Sequence, residues 1–213
     1  MKFYIADLHF GHTEILELDK RPVSNVEENE RLLTHNWNEV VTNHDTVYVL
    51  GDSSYYGCDK TASIFRKLHG NKVFIRGNHD KWMNEYELRC KGIQFRDIIT
   101  LDDYVAGKQT KVVVSHYPIA VWDKQFDGGY QLYGHIHLNK HVITAHSEMA
   151  RSFNVGCMTR LMNYTPRTLE DIIIRSRTFK SQNVIISSTL IYCKTYSRKS
   201  ISIITNKYTT RYI

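Results

Sequence analysis

The sequence predicts an α/β fold, and three observations carry that prediction. Short runs rich in Val, Ile, Phe and Tyr, the signature of buried strands, recur along the chain. Segments of helical period lie between them, with Leu33, Trp37, Val40 and Val41 the clearest set. Several apolar runs also stop at glycine and then deliver polar, ligand-type side chains. Sites in α/β architectures gather in that place, outside the carboxyl ends of strands.

Taken in order, Phe3–Ala6 reads as a first strand that delivers Asp7-Leu8-His9, followed by Phe10-Gly11-His12. A carboxylate and an imidazole two residues apart share one side of extended chain. Ser24 to about Val41 reads as a helix, with Ser24-Asn25-Val26-Glu27 as a capping box. Thr46–Leu50 is the second strand and ends in Gly51-Asp52. Asp59 to Leu68 reads as a short helix, with Gly70 available as its C-cap. Lys72–Ile75 is a strand that stops at Arg76-Gly77-Asn78-His79-Asp80, a turn that crowds an amide, an imidazole and a carboxylate. Met83 to about Lys91 reads as a helix closed by Gly92. Ile93–Ile99 and Leu101–Val105 look extended, and Ala106–Gln109 is a turn. Lys111–Ser115 is a strong buried-strand signal that delivers His116-Tyr117-Pro118. Tyr130–Tyr133 delivers Gly134-His135-Ile136-His137, Arg151–Val155 ends at Gly156, and Thr168 to about Arg175 is a last helix capped by Thr168.

With 213 residues the chain is long enough for one domain with a sizeable core. It has no run of apolar residues long enough to span a membrane. The N-terminus lacks a signal-peptide core, because Asp7 and His9 interrupt it. Cys58, Cys90, Cys157 and Cys193 are widely spaced with no CxxC, which suggests reduced thiols and a cytosolic protein. The net charge of +6 belongs to the C-terminus. Through Ser176 the chain has 21 Lys and Arg against 22 Asp and Glu, a charge of −1, and seven further Lys and Arg follow. The body therefore gives no argument for nucleic-acid binding. Residues 176–213 contain no Gly, Pro, Asp or Glu and read as a basic Ser/Thr/Ile-rich tail outside a domain of residues 1–175. Within the tail, Val184–Ile186 and Ile201–Ile204 have strand character.

Brought together, the strand ends supply Asp7, His9, Asp52, Asn78, His79, His116, His135 and His137. Burying so many polar groups without partners would be costly, and a bound metal removes the cost. Mixed nitrogen and oxygen ligands with no thiolate suit Mn, Fe, Zn, Co or Ni. The set exceeds what one tetrahedral zinc needs. It suits two ions roughly 3.5–4 Å apart that share a carboxylate and act on a phosphoryl group.

These residues carry a family resemblance. Asp7-x-His9, Gly51-Asp52, Gly77-Asn78-His79-Asp80, His116 and Gly134-His135-x-His137 resemble, in order, the motif series of the calcineurin-like metallophosphoesterase superfamily. The compact bacterial or phage-type branch is also similar at Asn154-Val155-Gly156-Cys157 and Thr165–Glu170. The resemblance covers about residues 1–175. It implies two facing mixed sheets flanked by helices, a four-layer sandwich. It further implies that Asp7, His9 and His137 hold one metal, that Asn78, His116 and His135 hold a second, and that Asp52 bridges them. Manganese is the expected ion. His79 would not be a ligand; it would sit over the phosphate and assist the leaving oxygen.

The implied activity is phosphoester hydrolysis, of mono- or diesters, by in-line attack of a metal-bridging hydroxide, on a small-molecule substrate in preference to nucleic acid. A nuclease and a non-catalytic metal-binding scaffold on the same fold are the competing readings. Second-line residues keep open roles. His12 either touches phosphate, supports the ligands or is an exposed loop residue. Arg76 contacts an anion or forms a structural ion pair. Asp80 orients His79 or caps the next helix. Tyr117, Trp122 and Tyr130 line the cleft or pack.

Overall fold

The computed structural model describes residues 1–89, 95–137 and 151–178. The chain divides into two compact units, Met1–Ile172 and Ile173–Ile213. Of the second, only 173–178 are described, and the expected tail strands at Val184–Ile186 and Ile201–Ile204 lie outside the described residues, as does Gly92.

The first unit is α/β with two sheets. Strands β1 (Lys2–Ile5), β2 (Thr46–Leu50) and β3 (Asn71–Ile75) form a parallel three-stranded sheet in that order. Strands β4 (Ile98–Val105), β5 (Lys108–Ser115), β6 (Tyr130–Tyr133) and β7 (Ser152–Asn154) form a mixed sheet, antiparallel between β4 and β5 and parallel elsewhere. Parallel strands are buried on both faces and so read as continuous apolar runs. Val112, Val113 and Val114 are accordingly all buried. The two sheets meet where Ala6 N donates to Val155 O at 2.9 Å and Cys157 N donates to Ala6 O at 2.8 Å. Those bonds bring the segment after β1 beside the segment after β7.

Helices α1 (Ile15–Leu18), α2 (Val26–Val40), α3 (Cys58–Phe65) and α4 (Lys81–Arg89) connect these strands, and a fifth helix, α5, covers 169–178. The α2 cap is shifted by one residue from the expected box. Asn25, not Ser24, caps the helix: its Oδ1 accepts from Glu28 N at 2.9 Å, while Glu28 Oε2 accepts from Ser24 N at 2.8 Å. The reciprocal logic of the box is kept, with Asn as the acceptor. Leu33, Trp37 and Val41 are buried as their spacing requires, whereas Val40 is only half-buried.

Helix α3 ends at Phe65 with Arg66 as its C-cap, so Gly70 is not a helix cap. Its φ of 77° instead turns the chain into β3. Helix α4 starts two residues earlier than periodicity suggested, directly after Asp80. Of the expected run Ile93–Ile99 only Ile98 and Ile99 are strand, and residues 93–94 lie outside the described residues; they continue through Thr100 and Leu101–Val105 as the single strand β4, which turns through Ala106-Gly107 into β5. Sequence periodicity gave no sign of α1, which has only four residues. Among the described residues no helix is long and apolar enough to cross a membrane.

Candidate metal centre

Each candidate ligand is presented by the turn that ends a strand. Asp7 N donates to Gly51 O at 3.1 Å and His9 N to Asp52 O at 2.9 Å, so the turns after β1 and β2 run side by side. The backbone there is unusual. Asp7, His9, Asp52, His135 and His137 all have left-handed φ, at 56°, 49°, 50°, 71° and 45°. A non-glycine residue in this region costs on the order of 1–3 kcal/mol and persists only where the surroundings impose it. Glycine is required beside these turns for space. A Cβ on Gly51 would lie 2.3 Å from His116 Nδ1, and one on Gly77 would lie 2.2 Å from Asp52 N.

The side chains converge in two groups. Ligand atoms of Asp7, His9, Asp52 and His137 lie within 4.8 Å of one another, and so do those of Asp52, His116 and His135. Asp52 belongs to both. Asn78 Oδ1 lies 2.9 Å from His116 Nε2 and so joins the second group. All seven expected ligands are therefore together, with Asp7, His9, Asp52 and His116 fully buried, His135 and His137 half-buried, and Asn78 exposed.

The arrangement fits divalent cations on two observations of the chain itself. His9 Nε2 is buried, has no hydrogen-bond partner among the described residues, and lies 3.5 Å from Asp52 Oδ2. An orphaned buried nitrogen is costly unless something accepts its lone pair. Two further imidazoles are fixed through Nδ1. His137 Nδ1 donates to Asp19 Oδ1 at 2.9 Å, and His116 Nδ1 donates to Leu50 O at 3.0 Å while its Nε2 faces Asn78 Oδ1 at 2.9 Å and Asp52 Oδ1 at 3.5 Å.

The charges follow from burial and mutual contact. Burial pushes Asp7 up to about 6, against the lowering pull of His137 and His116. Burial also acts to raise Asp52, but the His116 hydrogen bond and charge, with the His79 N–H at 2.9 Å, outweigh it and hold Asp52 at about 2. Burial lowers His9 to about 2, so its ring is neutral. Burial likewise lowers His12 and His135. For His116 and His137 burial is overcome by the carboxylates of Asp52 and Asp19, and both are raised.

His79 belongs to neither group. Its ring stands 5.5 Å from that of His9 and 5.6 Å from Tyr55, on the wall of a cleft of about 840 Å³. His12 is the neighbour of His9 rather than a loose loop residue. The two Nδ1 atoms are 3.1 Å apart, and the His12 ring stacks on Tyr55 at 4.3 Å. A proton on His9 Nδ1, shared with His12 Nδ1, would leave His9 Nε2 free to ligate.

Asp80 takes neither of its expected roles. Its buried carboxylate accepts from Ser53 N, Ser53 Oγ, Gly77 N and Trp82 Nε1 at 2.6–3.1 Å, and so ties the turn after β2 to the turn after β3. Arg76 is a structural ion pair, with Nη2 2.7 Å from Glu87 Oε1. Tyr117 lines the cleft and its hydroxyl lies 3.4 Å from Asn78 Oδ1. Trp122 and Tyr130 are buried and pack.

Sequence reasoning missed the support beneath the first group. Arg21 is buried and forked. It donates to Asp7 O and Leu8 O at 2.8 Å each, to Asn29 Oδ1 at 3.2 Å, and to Asp19 Oδ2 through Nε and Nη2 at 3.2 and 3.0 Å. Asp19 in turn holds His137. An Asp-x-Arg pair before Pro22 has no periodicity or motif to mark it, and its burial is invisible in one dimension. Cys157 Sγ donates to Asp7 O at 3.1 Å, burial raises its thiol to about 12, and it belongs to neither ligand group.

No protein-family model matches the chain. It is 34% identical over 173 residues to an uncharacterized protein of Methanocaldococcus jannaschii, covering 80% of this chain and 88% of that one. It is 28% identical over 174 residues to the Gene 66 protein of Mycobacterium phage L5, covering 66% of this chain and 81% of that one. Among solved structures, a protein of unknown function from Aquifex aeolicus superposes with a TM-score of 0.56 at 22% identity, over 78% of this chain and 94% of that one, a likeness of fold alone. At that identity and coverage the chain belongs to the family of the Methanocaldococcus jannaschii protein.

Proposed function

We propose that the chain is a phosphoester hydrolase that works with two divalent metal ions, manganese foremost. One observation carries this reading: two ligand groups, Asp7–His9–Asp52–His137 and Asp52–His116–His135, share the Asp52 carboxylate. The motif series that resembles the calcineurin-like metallophosphoesterases supports it, and with it the expectation of two facing sheets in four layers. The orphaned His9 Nε2, and the imidazoles of His116 and His137 fixed through Nδ1, fit ions with borderline preference for imidazole and carboxylate. Such ions, when bound, supply Lewis acidity toward a phosphoryl oxygen and a lowered pKa for water.

The chain supplies the rest. Asp52 is held ionised at about 2, so it can serve two cations at neutral pH. The Asp80 carboxylate fixes the Ser53 and Gly77 turns and thereby the separation of Asp52 from Asn78. His79, on the cleft wall, stands where an imidazole can give a proton to a departing ester oxygen.

The test is reconstitution of the purified chain with Mn²⁺, with ion counting and assay of generic nitrophenyl mono- and diesters. Close to two ions and metal-dependent turnover are expected. Asp52→Asn should lower metal content and nearly abolish turnover. One tight ion without a second site, or two ions with no turnover on any ester, defeats the reading.

A further inference from the structure

The cleft beside the ligand groups has two unlike parts. Its floor is polar and includes His9, Asp19, His135 and His137, with His79 on one wall. The other walls are apolar: Ile15 and Leu18 come from α1, and Tyr117, Pro118 and Ile136 come from the segments that follow β5 and β6. Ile15 and Ile136 are buried, but Leu18 is 71% exposed and Tyr117 is 49% exposed. A single exposed leucine needs no explanation. A leucine, a proline and a tyrosine that open onto one cleft, next to groups suited to hold an anion, form a preformed apolar site with a few convergent polar groups. The tyrosine is anchored, with its ring 4.5 Å from that of His135. Among the described residues, none that lines this cleft is Lys or Arg. On the reading above, positive charge in this cleft comes from the cations held at the ligand groups, which suits one phosphoryl group and not a chain of them.

We propose that the substrates are small phosphoesters with a single phosphoryl group and a compact apolar organic group, aryl or branched alkyl. The phosphoryl group lies over the histidine floor and the organic group against Leu18, Tyr117 and Pro118. This rests on the phosphoester reading above and names its substrate class. The cleft's volume of about 840 Å³ holds such a molecule whole.

The test uses the full chain loaded with Mn²⁺ and two unhydrolysable probes, methylphosphonate and phenylphosphonate, titrated by calorimetry. Burial of the phenyl ring against the walls should make phenylphosphonate bind at least about tenfold tighter. Leu18→Ser should erase most of that ratio; because Leu18 is exposed, the change does not threaten the core. Phe126→Ser, at a residue 88% exposed and outside the cleft lining, should leave the ratio intact. Equal affinities for the two probes, or an unchanged ratio in both Leu18→Ser and Tyr117→Ser, would overturn the proposal. So would a single-stranded oligonucleotide that binds tighter than phenylphosphonate. The two readings fail separately. Phenyl preference without hydrolysis of any ester sinks the hydrolase and leaves an apolar phosphoester ligand. Hydrolysis without phenyl preference sinks the substrate class alone. Binding of neither probe sinks both.

Discussion

His79 and Asp7 make opposite demands on the same few ångströms. His79 donates only its backbone N–H to the ligand set, at 2.9 Å from Asp52 Oδ1, and keeps its ring for the cleft. His79→Ala should therefore retain both ions and the fold. It should lose about 10²–10⁴ in rate on alkyl esters and much less on nitrophenyl esters, whose leaving group scarcely needs a proton. An emptied metal position in this variant would make His79 a ligand. Asp7 is the residue that a proton and a cation contest. Burial raises it to about 6 in the metal-free chain, so below that pH a cation must displace its proton. Asp52 and His9, each at about 2, release none; His116 and His137 are raised and add to the release. Metal binding should thus liberate protons in acid, and affinity should climb as pH rises through about 6. Mn²⁺ calorimetry in buffers of different ionisation heat should show more protons released at pH near 5.5 than near 8. Equal release at both would contradict the assignment.

At the scale of elements, the weak point is the turn between β1 and α1. Two of its residues, Asp7 and His9, sit in left-handed backbone, and α1 is too short to hold itself. The Arg21 fork supplies the restraint, binding the carbonyls of Asp7 and Leu8, while Asp19 fixes the His137 ring. Lysine has the charge without the fork. Arg21→Lys and Asp19→Ala should each weaken binding of one ion by about 10–100-fold, the usual range for groups that orient a ligand, and leave the ion at His116 and His135 in place. Asp19→Asn keeps an oxygen for His137 Nδ1 and should lose less than Asp19→Ala. Leu33→Ala, a core change remote from this network, lowers the thermal midpoint without moving either metal affinity. If it lowers metal affinity as much as Arg21→Lys does, the network is only a source of general stability.

For the whole molecule, all seven candidate ligands lie within the unit Met1–Ile172. A chain ended at Thr178, which keeps α5 entire, should fold, bind two ions and be more soluble than the full chain. Circular dichroism, metal counting and ester hydrolysis check this, and loss of fold or of metal would place the basic segment inside the working domain.

Much of this protein was determined by the sequence. Val-, Ile- and Tyr-rich runs with period two or none specify strands wherever they are buried, so β1, β2, β3, β6 and β7 were legible within a residue, while β5 begins three residues before Lys111. The convergence of candidate ligands at strand ends was legible for the same reason, because the residues that interrupt apolar runs at glycine are brought to one edge when those strands pair. Boundaries were less so, because Asn25 and Ser24 are equally good caps and only the register of the last free N–H chooses between them. Tertiary structure alone decided the roles of Asp19, Arg21 and Asp80. A charged side chain reads as surface in one dimension, and it becomes a brace only when the fold removes water from it and sets a carbonyl, an imidazole or a turn N–H within reach. The left-handed turns at Asp7, His9, Asp52, His135 and His137 belong to the same class: Asp and His enter that backbone more readily than most side chains, but the assembled site is what imposes it at five positions together.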